Sequence, residues 1–228
     1  MKVVELFAGT GHISQAFRER GHEAFTIDWN AKVNPTLQAD IAKLTPKDII
    51  DLCGGVPDVI WASPDCTTYS IAAMYRHRRR VGDVLLPKTE YAAFCDYVNV
   101  HLWHLIKELV AMGTKYYFVE NPRGGYRKGY FLDIMPHDRH TITYCQYGNI
   151  NMKPTDIFTN HSDPQFLPMC KNGDTCHEAS PRGSKTGTQG AKWWSATQPG
   201  LTRALTRGLM PKALCEHIAT ISERDNTR

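Results

Sequence analysis

The first thirty residues constrain the fold more than any other stretch. Lys2-Val3-Val4-Glu5-Leu6-Phe7 reads as a short strand, Ala8-Gly9-Thr10-Gly11-His12 as a glycine-bearing turn, and Ile13-Ser14-Gln15-Ala16-Phe17 as the start of a helix ending near Gly21. A second apolar run, Ala24-Phe25-Thr26-Ile27, closes on Asp28-Trp29. One helix-length segment separates the glycines from Asp28, as a single β-α-β unit requires. Such a unit suits a nucleotide-type cofactor. Glycines let the ligand approach the backbone, a strand-end acid accepts hydrogen bonds from ribose hydroxyls, and Trp29 offers a face for an adenine ring. The expected architecture is an open, doubly wound α/β fold with a mostly parallel sheet.

Two further strand ends carry chemistry. Asp58-Val59-Ile60-Trp61 runs into Ala62-Ser63-Pro64-Asp65-Cys66-Thr67-Thr68-Tyr69-Ser70. A thiol after a buried strand, in a loop of small polar residues, is placed as a nucleophile would be, although a lone cysteine there is more often a small core residue. Tyr116-Tyr117-Phe118-Val119 runs into Glu120-Asn121-Pro122, which on its own is an ordinary strand-end turn. In open α/β sheets, ligands bind beyond the carboxyl ends of the strands. The glycine turn, Asp28, Cys66 and Glu120 should therefore share one edge.

These segments, in this order, resemble the DNA (cytosine-5) methyltransferases of a short, phage-type kind. Glu5-Leu6-Phe7-Ala8-Gly9-Thr10-Gly11 resembles that family's first cofactor motif. Pro64-Asp65-Cys66-Thr67-Thr68-Tyr69-Ser70 resembles its Pro-Pro-Cys-Gln-x-Phe-Ser loop, with the second proline and the glutamine replaced. Glu120-Asn121-Pro122 resembles Glu-Asn-Val. The resemblance covers most of residues 1–160 and returns near the carboxyl terminus. It implies methyl transfer from S-adenosylmethionine to carbon 5 of cytosine in double-stranded DNA, on a flipped-out base, as in phage and restriction-modification systems. Cys66 would attack carbon 6 and Glu120 would hold or protonate ring nitrogen 3. For the cofactor, Phe7 and Trp29 would pack on the adenine, Gly9 and Gly11 would approach the methionine moiety, and Asp28 would bind the ribose. Asp40 would bind the adenine amino group and Pro64 would lie beside the donor.

A duplex base reaches such a site only when flipped out. Met74-Tyr75-Arg76-His77-Arg78-Arg79-Arg80 directly follows the nucleophile loop. Ser70, Arg76, Arg78, Arg79 and Arg80 are therefore expected to contact DNA, with Lys88 adding to the patch. The family's Gln-x-Arg-x-Arg element is replaced here, with Lys153 and Thr155 where arginines would stand; Lys153 is a further nucleic-acid candidate. RNA, in particular transfer RNA, is a rival substrate, and a non-catalytic DNA-binding protein is a second rival.

The resemblance leaves residues 1–159 and 199–228 as the catalytic domain and 160–198 as a short target-recognition insertion. That insertion is rich in Gly, Ser, Thr, Pro and Lys and lacks the apolar residues to build its own large core. Arg182 and Lys185, in a glycine-rich stretch, suit contact with DNA. Cys170, Cys176 and His177 suggest a zinc staple, with Cys145 as fourth ligand and His161 as the other candidate. So little protein predicts a short or degenerate target.

At 228 residues a single domain is expected, and a net charge of +4 permits nucleic-acid binding without demanding it. The 7 cysteines, odd in number and scattered, fit a reducing, cytoplasmic setting. No signal peptide or membrane-length apolar run is present in the sequence, and a monomer is expected. Asp96 to Met112 has helical periodicity, with Val98, Leu102, Leu105, Ile106 and Leu109 directed inward.

Overall fold

The computed structural model describes residues 1–171, 173–177 and 209–224. β1 (Lys2–Leu6), α1 (His12–Glu19) and β2 (Glu23–Asp28) form the expected first unit. β3 (Leu37–Gln38), α2 (Pro46–Cys53) and β4 (Val59–Ala62) follow. A hairpin of β5 (Arg78–Val81) and β6 (Val84–Pro87) precedes α3 (Glu90–Ala111). β7 (Tyr116–Pro122), β8 (Asp138–Thr143), β9 (Pro154–Thr159) and α4 (Lys212–Arg224) complete the described chain.

Seven strands make one sheet in the order β3-β2-β1-β4-β7-β9-β8. β3 through β7 are mutually parallel, while β9 runs antiparallel to both β7 and β8. Strand order reverses at β1, with β2 on one side and β4 on the other, which opens a crevice at the carboxyl edge.

Side chains alternate across the sheet and feed two cores. Val4, Leu6, Ile60, Ala62, Tyr117 and Val119 pack with Ile49 of α2 and with Leu102, Leu105, Ile106 and Leu109 of α3. Val3, Val59, Trp61, Tyr116 and Phe118 pack with Ile13 and Phe17 of α1 and with Leu214 and Ile218 of α4. Helices therefore cover both faces, as a doubly wound fold demands. Leu102, Ile106 and Leu109 are fully buried; truncating any one of them to alanine removes about 2–5 kcal/mol. α3 starts six residues before the periodic run that announced it, because Thr89 caps it by accepting a bond from the Ala92 amide. Among the described residues, no helix is long and apolar enough to cross a membrane.

Candidate active site

The sheet register aligns the functional strand ends. Leu6 of β1 lies opposite Ile27 of β2 and Ala62 of β4, and Ala62 lies opposite Val119 of β7. One residue further along each strand come Phe7, Asp28, Ser63 and Glu120, which thus stand in a row along one edge.

The glycine turn is built by left-handed backbone. Phe7, Gly9 and Gly11 have φ of 55°, 52° and 68°, a region open to glycine and strained for phenylalanine. Glu5, beneath the turn, accepts a 2.7 Å bond from the amide of Ser14 and ties β1 to the start of α1. A Cβ at Gly9 would meet nothing within 4 Å, so the turn offers bare backbone to open space. Asp28 is buried; one carboxylate oxygen accepts from the Gly9 amide at 2.9 Å and the other from the Asn30 amide at 2.8 Å. Asp28, expected from the sequence to meet a ribose, is in the fold the brace of the glycine turn. Trp29 is 72 % exposed at the strand end. Asp40, half-buried, caps a 3-10 turn through the Ala42 amide. A cavity of about 410 Å³ borders Gly9, Gly11, Gln15, Thr26 and Asn34, on the α1 side of the turn; Phe7, Asp28, Trp29, Asp40 and Pro64 do not line it.

Cys66 is half-buried as a residue. Burial pushes its thiol up to about 11; the Glu120 carboxylate adds to the rise and the Lys153 ammonium opposes it. Burial likewise raises Glu120 above the ordinary carboxylate range, again with Lys153 in opposition. The Tyr144 hydroxyl donates to Glu120 at 3.1 Å, and Ser63, itself held by the Trp61 indole at 2.8 Å, is a second partner. Burial lowers the Lys153 ammonium, while Glu120 and Cys66 both favour its charge. The ammonium lies 4.2 Å from the centre of the Tyr144 ring, on a residue with φ of 32°. Thiol, carboxyl and ammonium thus share one electrostatic neighbourhood. Lys153, a nucleic-acid candidate from its sequence, carries a charge that acts on both Cys66 and Glu120. Thr155 is fully buried, with its hydroxyl bonded to the Lys153 carbonyl.

The Cys66 thiol, raised in this way, is mostly protonated at neutral pH. Its alkylation by iodoacetamide is expected to rise about tenfold per pH unit up to about 11, read by peptide mapping. Lys153→Met should slow it further. A rate that levels off below pH 9, near the ordinary cysteine range, would overturn this electrostatic account.

The Cys66 loop is held near both of its ends by β7 and the turn that follows it. The Asn121 side-chain amide donates to the Pro64 carbonyl at 3.0 Å, and the Gly125 amide donates to the Tyr69 carbonyl at 2.7 Å. A Cβ at Gly124 would lie 2.5 Å from that same carbonyl oxygen. Asn121 and the Gly124-Gly125 pair therefore position the loop, a role their sequence signals as a turn alone.

The basic run divides. Arg76, Arg79 and Arg80 are exposed, Arg80 with an ion pair to Asp83 at 2.8 Å, and Ser70 is half-buried. Arg78 is a correction to the surface role read from the charge run. It is 5 % exposed, pairs with Asp96 at 2.8 Å and lies 3.8 Å from the Tyr69 ring centre. It also donates to the carbonyl and hydroxyl oxygens of Thr68. Asp96 accepts in turn from the Tyr69 hydroxyl. A guanidinium so enclosed has no phosphate to meet; it anchors the nucleophile loop to α3. Lys88 is exposed and donates to the Tyr75 carbonyl.

Cys145, Cys170, Cys176 and His177 converge, with one ligand atom of each within 4.8 Å of every other. This is a Cys/His group able to hold a metal ion. His161 lies elsewhere, stacked on Tyr116 with ring centres 4.5 Å apart and its Nε2 at the Ile221 carbonyl. Arg182 and Lys185 fall outside the described residues.

No protein-family profile matches the chain. Over 186 residues it is 27 % identical to "Probable DNA (cytosine-5)-methyltransferase" of Frog virus 3 (isolate Goorha), covering 77 % of this chain and 78 % of that one. The chain is thus similar over most of its length to a protein named as a DNA (cytosine-5) methyltransferase. Among solved structures it is similar to an E. coli prophage protein described as a putative DNA modification methyltransferase (TM-score 0.53, 15 % identity, 74 % of this chain and 51 % of that one). It is also similar to the Entamoeba histolytica methyltransferase EhMeth (TM-score 0.52, 16 % identity, 75 % and 57 %). These likenesses show the methyltransferase fold. The chain spans about half the length of the solved methyltransferases it matches.

Proposed function

We propose that this chain methylates carbon 5 of cytosine in DNA, using S-adenosylmethionine. The observation that carries the reading is the grouping of Cys66, Glu120 and Lys153 on the same sheet edge as the Gly9–Gly11 turn and Asp28. Carbon 5 of cytosine is a poor nucleophile. After its proton passes to solvent, the Cys66 thiolate attacks carbon 6 and makes carbon 5 enamine-like, and a protonated Glu120 placed at ring nitrogen 3 gives its proton there, so that negative charge does not build on the base. The raised pKa of Glu120 keeps that proton available. S-adenosylmethionine supplies the methyl group; carbon 5 then loses its proton to a base and the thiol is eliminated.

The residues fit this cofactor. The glycine turn exposes backbone, Asp28 retains lone pairs beyond the two amides it serves, and Trp29 presents an open ring. Phe7, Asp40 and Pro64 stand on the same edge. The target base is flipped from a duplex, with Ser70, Arg76, Arg79, Arg80 and Lys88 beside the nucleophile loop to meet phosphates. Residues beyond His177, with Arg182 and Lys185, read the target, and the protein acts as a cytoplasmic monomer. The donor set of Cys145, Cys170, Cys176 and His177 suits zinc. The viral relative's name says DNA, which favours DNA over RNA, and the presence of both Cys66 and Glu120 favours an enzyme over a binding protein.

Incubation of purified protein with methyl-labelled cofactor and duplex DNA, and separately with transfer RNA, tests the reading. Label in DNA, mapped to cytosine by bisulfite sequencing, is expected; label in RNA alone, or in neither, refutes it. Asp28→Ala should weaken cofactor binding about 10- to 100-fold by calorimetry, since a charge-assisted acceptor and the brace of Gly9 are lost together. An unchanged dissociation constant would remove Asp28 from the pocket.

A further inference from the structure

Tyr144 and Cys145 are neighbours in one 3-10 turn (Tyr144–Tyr147), yet they serve different clusters. Tyr144 reaches Glu120 and lies under Lys153. Cys145 joins the Cys/His group. The turn is held unevenly. Tyr144 and Tyr147 are buried in the core that packs under α1 and α4, whereas Cys145 faces a separate small cluster with Met152 and Cys170. The Tyr144 amide donates to the Met152 carbonyl at 2.9 Å, and the turn closes on left-handed Gly148.

The geometry of the group is that of a metal site. With zinc–sulfur and zinc–nitrogen bonds of about 2.3 and 2.0 Å, tetrahedral edges are about 3.8 Å between sulfurs and about 3.5 Å from sulfur to nitrogen. The Cys145–Cys176 sulfurs are 3.6 Å apart and the Cys145–Cys170 sulfurs 3.1 Å. His177 Nδ1 lies 3.7 Å from the Cys170 sulfur and 3.5 Å from that of Cys176. Supporting bonds run from the Gln146 side chain to the Cys176 sulfur at 3.5 Å and from the Cys170 amide to the Thr143 hydroxyl at 3.1 Å.

We propose that Cys145, Cys170, Cys176 and His177 bind one zinc ion, and that this ion positions the catalytic centre by fixing the turn that carries Tyr144 to Glu120. The metal site stands on its own geometry; its catalytic consequence rests on the methyltransferase reading. Zinc cross-links the chain after β9 to the chain after β8 and holds the Cys145 side of the turn, which faces the small cluster, while Tyr144 and Tyr147 are held by the core. Tyr144 is then a positioning residue, acting through Glu120.

The test uses the full chain purified without a histidine tag. Elemental analysis should give one zinc per chain, and cobalt replacement should give the thiolate charge-transfer and visible bands of a tetrahedral sulfur-rich site. Absence of stoichiometric metal, or a Cys145–Cys170 disulfide by non-reducing mass spectrometry, overturns the proposal. After chelation, hydrogen exchange at the amides of Tyr144, Gly148 and Asn149 should accelerate at least tenfold while that of β1 and β4 is unchanged; unaltered exchange at the turn overturns the positioning role. Turnover should fall about tenfold with the cofactor dissociation constant unchanged, and zinc should restore it. Tyr144→Phe should lose a similar factor and lose no more on chelation, because both changes remove the same bond. Additive losses would show a general structural effect and defeat the positioning role. If neither substrate is methylated while zinc and exchange behave as stated, the methyltransferase reading fails and the metal site stands.

Discussion

Cys66→Ala is expected to abolish methyl transfer, lowering turnover by about 10⁴-fold or more, while cofactor affinity stays within about twofold. The selectivity of the effect follows from placement. Cys66 lies in the loop beyond β4, whereas the turn that would hold the cofactor is braced by Asp28 and Glu5. Removing one sulfur leaves both braces intact, and it also removes the group that Glu120 and Lys153 act on. Single-turnover assays with labelled cofactor, beside calorimetry of cofactor binding, measure both halves. Residual turnover near the parent level would refute covalent catalysis; a parallel collapse of cofactor affinity would place the thiol in the wrong pocket.

Arg78→Met should destabilise the fold by about 3–5 kcal/mol, the usual consequence of leaving a buried charge without its partner. Asp96 would keep only its bond from Tyr69, and Thr68 would lose the guanidinium that holds its carbonyl and hydroxyl. The measurement is urea unfolding, with stability read from the midpoint at constant slope. Arg79→Met and Arg80→Met, at exposed positions, should change stability by less than about 0.5 kcal/mol. They should instead weaken DNA binding and reduce its salt dependence. An Arg78 variant as stable as its parent, with a reduced salt slope, would return that residue to the DNA surface.

The contrast between these arginines marks where a sequence can be read and where it cannot. The β1–α1–β2 unit was legible because its glycines and strand-end acid are local signals, and the left-handed φ values at Gly9 and Gly11 are what those glycines serve. The row from Asp28 through Phe7 to Glu120 was legible because parallel strands place successive carboxyl ends together. Arg78 was not legible: in a run of four arginines nothing distinguishes the one whose partner lies on a helix 18 residues later. The β5–β6 hairpin carried a local signal, Gly82-Asp83 between Val81 and Val84, which the surrounding charge obscured. The early start of α3 was hidden by Tyr91, Phe94 and Tyr97, exposed aromatics that blur an amphipathic pattern. Tyr144 and Lys153 reach Glu120 only because β8 and β9 pair antiparallel beside β7, a register set by long-range packing.

That antiparallel edge has a further consequence for target choice. β9 runs away from the crevice: Thr155 sits opposite Pro122 near the top, and Thr159 opposite Phe118 well below. The chain must then climb back along β8. Phe166 packs on His140, the Leu167 amide bonds the Tyr147 hydroxyl, and only at Cys170, beside Thr143, has it regained the crevice side. Residues 160–170 are thus a return path along β8 that regains the crevice edge only at Cys170. Under the proposed function, a loop grafted around residue 162 would emerge at the far end of the sheet from Cys66 and Glu120, and so could not lengthen a recognised sequence.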